Sequence, residues 1–115
     1  MIDMPMNTSD ALRDLAISTR AFYKRFGVQP EITLCVRNLR EQVVRLIEVA
    51  QSSKDTNQVA EETVDVFITA IGLCYAAGVD IDTLMNEVYD VIEKNDAKTQ
   101  LTHIYTDGRI RRRLS

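Results

Sequence analysis

Three acidic residues, Glu61, Glu62 and Asp65, fall within five positions of one another. In a helix, each residue advances about 100°, so Glu62 and Asp65 share a face one turn apart. Two carboxylates at that spacing suit a divalent cation, which takes hard oxygen ligands. Upstream, Gln42 and Arg45 repeat the i, i+3 spacing. If their helix pairs antiparallel with that of Glu62, the four side chains face one another across a groove. There the Arg45 guanidinium would neutralise carboxylates that a metal would otherwise neutralise. Downstream, Asn95 and Lys98 place an amide and an ammonium one turn apart, a pair suited to a phosphate or a sugar. Each motif also has a plainer reading. Charged residues beside an apolar seam usually form a solvated edge, and Arg45 has Glu41 and Glu48 within reach on its own helix for surface ion pairs.

Four helical segments must position these residues. The first is predicted over 9–26. Thr8, Ser9 and Asp10 offer N-caps, Gly27 is the stop, and Leu12, Leu15, Ala16, Phe22 and Phe26 form the apolar side. Pro30 resets the chain. The second is predicted over 31–51, with a seam of Ile32, Val36, Leu39, Val43, Leu46 and Ala50. Residues 52–57 read as a polar connection. The third is predicted over 58–77, striped by Val59, Thr63, Val66, Ala70 and Cys74, widened by Phe67 and Ile71 and closed by Gly78. Asp80 or Asp82 caps the fourth, over 82–98, which carries Leu84, Val88, Val91 and Ile92. Residues 99–115 read as a basic tail in which Thr106-Asp107-Gly108-Arg109 forms a turn with short extended flanks. Short loops between long amphipathic helices predict an all-α, antiparallel four-helix bundle. The third and fourth helices are apolar around more than half their circumference, which predicts a homo-oligomer.

Composition narrows the classes. At 115 residues, 45% apolar and 27% charged, the chain has the length of one domain with a real core. Four Gly and two Pro argue against a turn-rich β protein. Cys35 and Cys74 can form neither a disulfide framework nor a zinc quartet, and read as small hydrophobes in a reducing compartment. No apolar run approaches the roughly 20 residues of a membrane span, and Met1 to Asp10 has no secretion-signal pattern. A cytoplasmic protein without a membrane partner is expected. The net charge is −3, and without Arg109, Arg111, Arg112 and Arg113 it would be −7. The acidic body argues against general nucleic-acid binding. The arginines are expected to be solvated or to reach an anionic groove of the oligomer; a nucleic-acid or regulatory module driven by this one cluster is the minor reading. Tyr75, Tyr89 and Tyr105 can stack on a base, but nothing singles one out. His103, the single histidine, has no Cys or His nearby in sequence to make a metal site.

Taken in order, Leu39-x-Glu41-Gln42-x-x-Arg45-Leu46, Glu61-Glu62-x-x-Asp65-Val66, Gly78-Val79-Asp80, Asn95-x-x-Lys98 and Asp107-Gly108-Arg109 resemble the all-α nucleoside triphosphate pyrophosphohydrolases. These are the MazG-like and phosphoribosyl-ATP pyrophosphatase-like enzymes, related to the dimeric dUTPases. The resemblance covers roughly residues 20–112. It implies a helical bundle working as a homodimer or homotetramer, cleaving an NTP or dNTP to the monophosphate and pyrophosphate with Mg²⁺ or Mn²⁺. It implies Glu62 and Asp65 as metal ligands and Glu41 as the residue that directs or deprotonates the attacking water. It also implies Asn95 and Lys98 as substrate contacts; in an enzyme with such a reduced metal site, Arg45 would join them in binding phosphate. The chain departs from the family at Gln42 and Arg45, where the family carries two metal-binding Glu. Gln can offer a carbonyl oxygen, whereas Arg cannot be a ligand. The alternative is a catalytically degenerate relative that binds nucleotide or a protein partner without turnover.

Overall fold

The computed structural model describes residues 10–114. The elements follow in the order α1 (Ala11–Arg25), α2 (Ile32–Ser52), α3 (Thr56–Ala76), α4 (Ile81–Ala97), β1 (His103–Thr106) and β2 (Arg109–Arg112). The class is all-α with one small β-ribbon. Among the described residues no helix is long and apolar enough to cross a membrane. Thr8, Ser9 and the methionine-rich start lie outside the described residues.

Local chemistry sets the helix ends. The Asp10 side chain accepts from the Arg13 backbone N–H at 3.1 Å and caps α1. The Asp55 side chain caps α3 by accepting from Asn57 N–H at 2.9 Å and from Gln58 N–H at 3.4 Å. This cap starts α3 at Thr56, two residues before the predicted boundary, because a single Asx cap is enough to turn the chain into the helix. Helices α1 and α3 end alike. Val28 N–H donates to Tyr23 O and Val79 N–H donates to Cys74 O, both at 2.9 Å. In each case the intervening glycine, Gly27 or Gly78, takes the positive φ that this closure requires.

The chain forms two compact units, one through Ile81 and one from Asp82. In the first, α1 and α2 both pack against α3, and α3 folds back along α2 after the short connection Ser53 to Asp55. Ala16, Cys35 and Ile71 are buried, joined by Thr19, Gly72 and Glu62. The small residues Ala16, Thr19 and Gly72 let α1 and α3 approach closely. A Cβ on Gly72 would overlap the Tyr23 hydroxyl. The Thr19 hydroxyl donates to Leu15 O at 2.8 Å, so its burial is satisfied within α1. The Tyr75 hydroxyl donates to Ala16 O at 2.5 Å and ties α3 to α1. Both cysteines are free; Cys35 is buried and Cys74 half-buried.

Two apolar faces depart from their predicted setting. Phe22 and Phe26 are exposed, while Thr19 and Tyr23 take the inward positions of α1. On α2, Ile32, Val36 and Val43 are exposed, and the inward row is Cys35, Leu39, Gln42, Leu46 and Val49. Both rows run at helical spacing, and α2 is apolar enough that periodicity alone does not choose between them. Packing against α3 chose the row containing Gln42.

In the second unit α4 leads to a hairpin. Residues 103–112, predicted within a basic tail, pair as an antiparallel ribbon in the register His103↔Arg112, Ile104↔Arg111, Tyr105↔Ile110 and Thr106↔Arg109. The two-residue loop has φ of 51° at Asp107 and 74° at Gly108, the sign pattern of the type I′ turn that matches strand twist. Arg113 N–H donates to Thr102 O at 2.8 Å and extends the pairing at the open end.

Candidate functional site

The helical hairpin α2–α3 brings Arg45 to Glu62. Arg45 Nε donates to Glu62 Oε2 at 2.9 Å. The two partners differ in environment: the Arg45 side chain is 65% exposed and that of Glu62 only 5%. The carboxylate is thus held inside the protein by a cation that reaches in from its surface. Arg45 makes this bond across the helix pair, and not with Glu41 or Glu48 on its own helix. Register explains it. Arg45 lies seven residues before the end of α2 and Glu62 six after the start of α3, so a helix that folds back meets its neighbour at that level.

The second oxygen of Glu62 is different. Among the described residues, Glu62 Oε1 and Gln42 Oε1 are the buried side-chain oxygens without a hydrogen-bond partner. Gln42 stands one turn before Arg45, in the inward row of α2. Both atoms are hydrogen-bond acceptors. A buried acceptor without a donor costs about 1–3 kcal/mol. A cation or an N–H or O–H donor would remove that cost. Asp65, half-buried one turn after Glu62, has no hydrogen bond or ion pair among the described residues. Glu41 is exposed on α2. Among the described residues no three His, Cys, Asp or Glu side chains gather as a metal site. A cation here would therefore rest on Glu62, Asp65 and the Gln42 carbonyl, with water completing its shell. These are the hard oxygen donors that Mg²⁺ accepts, and Mg²⁺ commonly retains water. By donor type alone, these residues suit such an ion.

Asn95 and Lys98 belong to the second unit. They line an open cleft of about 670 Å³ with Gln100, His103, Tyr105 and Arg113. Lys98 has no carboxylate partner among the described residues. His103 Nδ1 lies 2.7 Å from the Thr102 hydroxyl. No role for His103 or Arg113 was legible in the sequence, because only the hairpin closure carries both back toward the end of α4.

A further cavity in the first unit, about 330 Å³, is lined by Arg20, Tyr23, Lys24, Tyr75 and the Gly78-Val79-Asp80 turn, among others. Burial pushes the Tyr23 hydroxyl above the usual tyrosine range, and Cys35 adds to the shift. Burial does the same at Tyr75, where the Arg20 guanidinium offsets part of the shift and Cys74 adds to it.

Compared with known proteins, the chain matches no family model, no curated protein and no solved structure.

Proposed function

We propose that the protein is a nucleoside triphosphate pyrophosphohydrolase-like protein, hydrolysing an NTP or dNTP to the monophosphate and pyrophosphate with Mg²⁺ or Mn²⁺. The observation that carries this reading is that two buried acceptors, Gln42 Oε1 and Glu62 Oε1, have no hydrogen-bond partner among the described residues. Glu62, Asp65 and Gln42 would hold the ion. When bound, it offsets triphosphate charge and polarises a phosphoryl oxygen. Glu41, one residue before Gln42 and open to solvent, would take the proton of the attacking water. The Arg45 N–H groups not used on Glu62 would donate to phosphate oxygens. Asn95 and Lys98 offer an amide and an ammonium to phosphate in the second unit.

The exposed apolar residues on α1 and α2, including Phe22, Phe26, Ile32, Val36, Val43 and Ile47, support a homodimer or homotetramer. Arg45 supports the second reading, binding of nucleotide or a protein partner without turnover. Its guanidinium already offsets the charge of Glu62 by donating to one of its two oxygens.

Pyrophosphate release from a panel of NTPs and dNTPs with Mg²⁺ or Mn²⁺ separates the two. Turnover that disappears in Asp65→Ala is expected for the enzyme. A silent parent whose Arg45→Glu variant becomes active would establish a binding protein that lost its metal site.

A further inference from the structure

We propose that the β1–β2 ribbon is a binding surface for the phosphodiester backbone of nucleic acid. This inference rests on the second unit alone and does not depend on the pyrophosphohydrolase reading. Strand alternation puts Arg109 and Arg111 on one face, and Arg113 continues that row past the end of β2. Alternate residues on a strand stand about 6.7 Å apart. That pitch lets neighbouring guanidinium groups take neighbouring phosphates of an extended strand. All three are exposed, and Arg112 is exposed on the opposite face.

The charge of this surface is uncompensated. Residues 98–114 contain Lys98 and four arginines against a single carboxylate, Asp107, at the turn. Among the described residues none of these cations has an ion pair. Arg113 Nε donates to Gln100 O at 2.6 Å, which fixes the guanidinium without neutralising it. Arginine suits phosphate because its planar fork donates two parallel hydrogen bonds. Tyr105, 70% exposed, lies on the opposite face with Arg112, so the proposed backbone contact rests on the arginine row. An acidic body carrying one compact basic ribbon favours local backbone contact over wrapping of a duplex. Ile104 is the one exposed aliphatic residue on the arginine face within the strands, and Ile110 lies on the other, so a lipid surface is the competing occupant that the experiment must separate.

The test uses the full chain and fluorescence anisotropy with short labelled oligonucleotides, as single-stranded DNA, single-stranded RNA and duplex. Three phosphate contacts on a single strand predict a roughly 20-fold loss of affinity between about 50 and 200 mM salt. The variant Arg109→Gln/Arg111→Gln/Arg113→Gln should lose at least about tenfold at low salt and flatten the salt dependence. The matching triple Lys variant, which keeps the charge, should stay within roughly threefold of the parent. It also controls for folding, alongside circular dichroism. The proposal is overturned if the parent shows no salt-dependent binding to any oligonucleotide. It is equally overturned if the Gln variant binds as the parent does, or if the parent binds only phosphatidylserine vesicles.

Discussion

Glu62 combines a buried carboxylate, a single cationic partner and an oxygen with none. Removing Arg45 leaves that charge inside the protein without its donor. Arg45→Ala should therefore destabilise the fold by about 1.5 kcal/mol; solvent screening of the exposed guanidinium keeps this below the 3–5 kcal/mol typical of fully buried pairs. Arg45→Met with Glu62→Leu removes both charges and both desolvation costs. Its stability should match or exceed that of the parent, and urea denaturation of all four members of the cycle checks this. If only the single variants lose stability, the pair is held for function and not for folding. The same experiment bears on metal binding, since a divalent ion on Glu62 should raise the melting temperature of the parent and not of the double variant.

The contact of α1 with α3 depends on side chains that are small or capped by one polar tip. Gly72→Ala should cost about 1–3 kcal/mol by overpacking against the Tyr23 hydroxyl. In a Tyr23→Phe background the clashing oxygen is gone, so most of that cost should vanish, again read from a denaturation cycle. The same interface has a pH signature. Folding raises the Tyr23 and Tyr75 values above those of the unfolded chain, so the folded state holds its phenol protons more tightly. Their contribution is fully present below about pH 10, where both states are protonated. It is lost as pH rises through the folded-state values. Denaturation midpoints should fall steeply above about pH 10, and the fall should be shallower in Tyr75→Phe, after its small constant loss from the missing bond to Ala16.

For the molecule as a whole, the exposed apolar residues of α1 and α2 are the largest unexplained feature of a single chain. If a second copy covers them, sedimentation velocity should give a mass above the 13.1 kDa of one chain, and Val43→Glu/Ile47→Glu should reduce it to the monomer. The sequence by itself determined the helices, because their signals are local. Asp10 caps α1, Gly27 and Gly78 stop α1 and α3, and each of the four helices begins and ends within two residues of its predicted bounds. The hairpin turn was equally legible, since Asp-Gly accepts the positive φ that a two-residue loop demands. It also supplied the spacing that put Arg45 opposite Glu62. What only the tertiary structure decided was which side of each helix turned inward. On α2 two apolar rows compete, and the choice that buried Gln42 and exposed Val43 comes from packing against α3, not from periodicity. Tertiary structure likewise decided that Glu62 keeps one oxygen bound and one free. Hydrogen-bond satisfaction depends on which donors three separate segments bring within about 3 Å, and no local pattern encodes that distance.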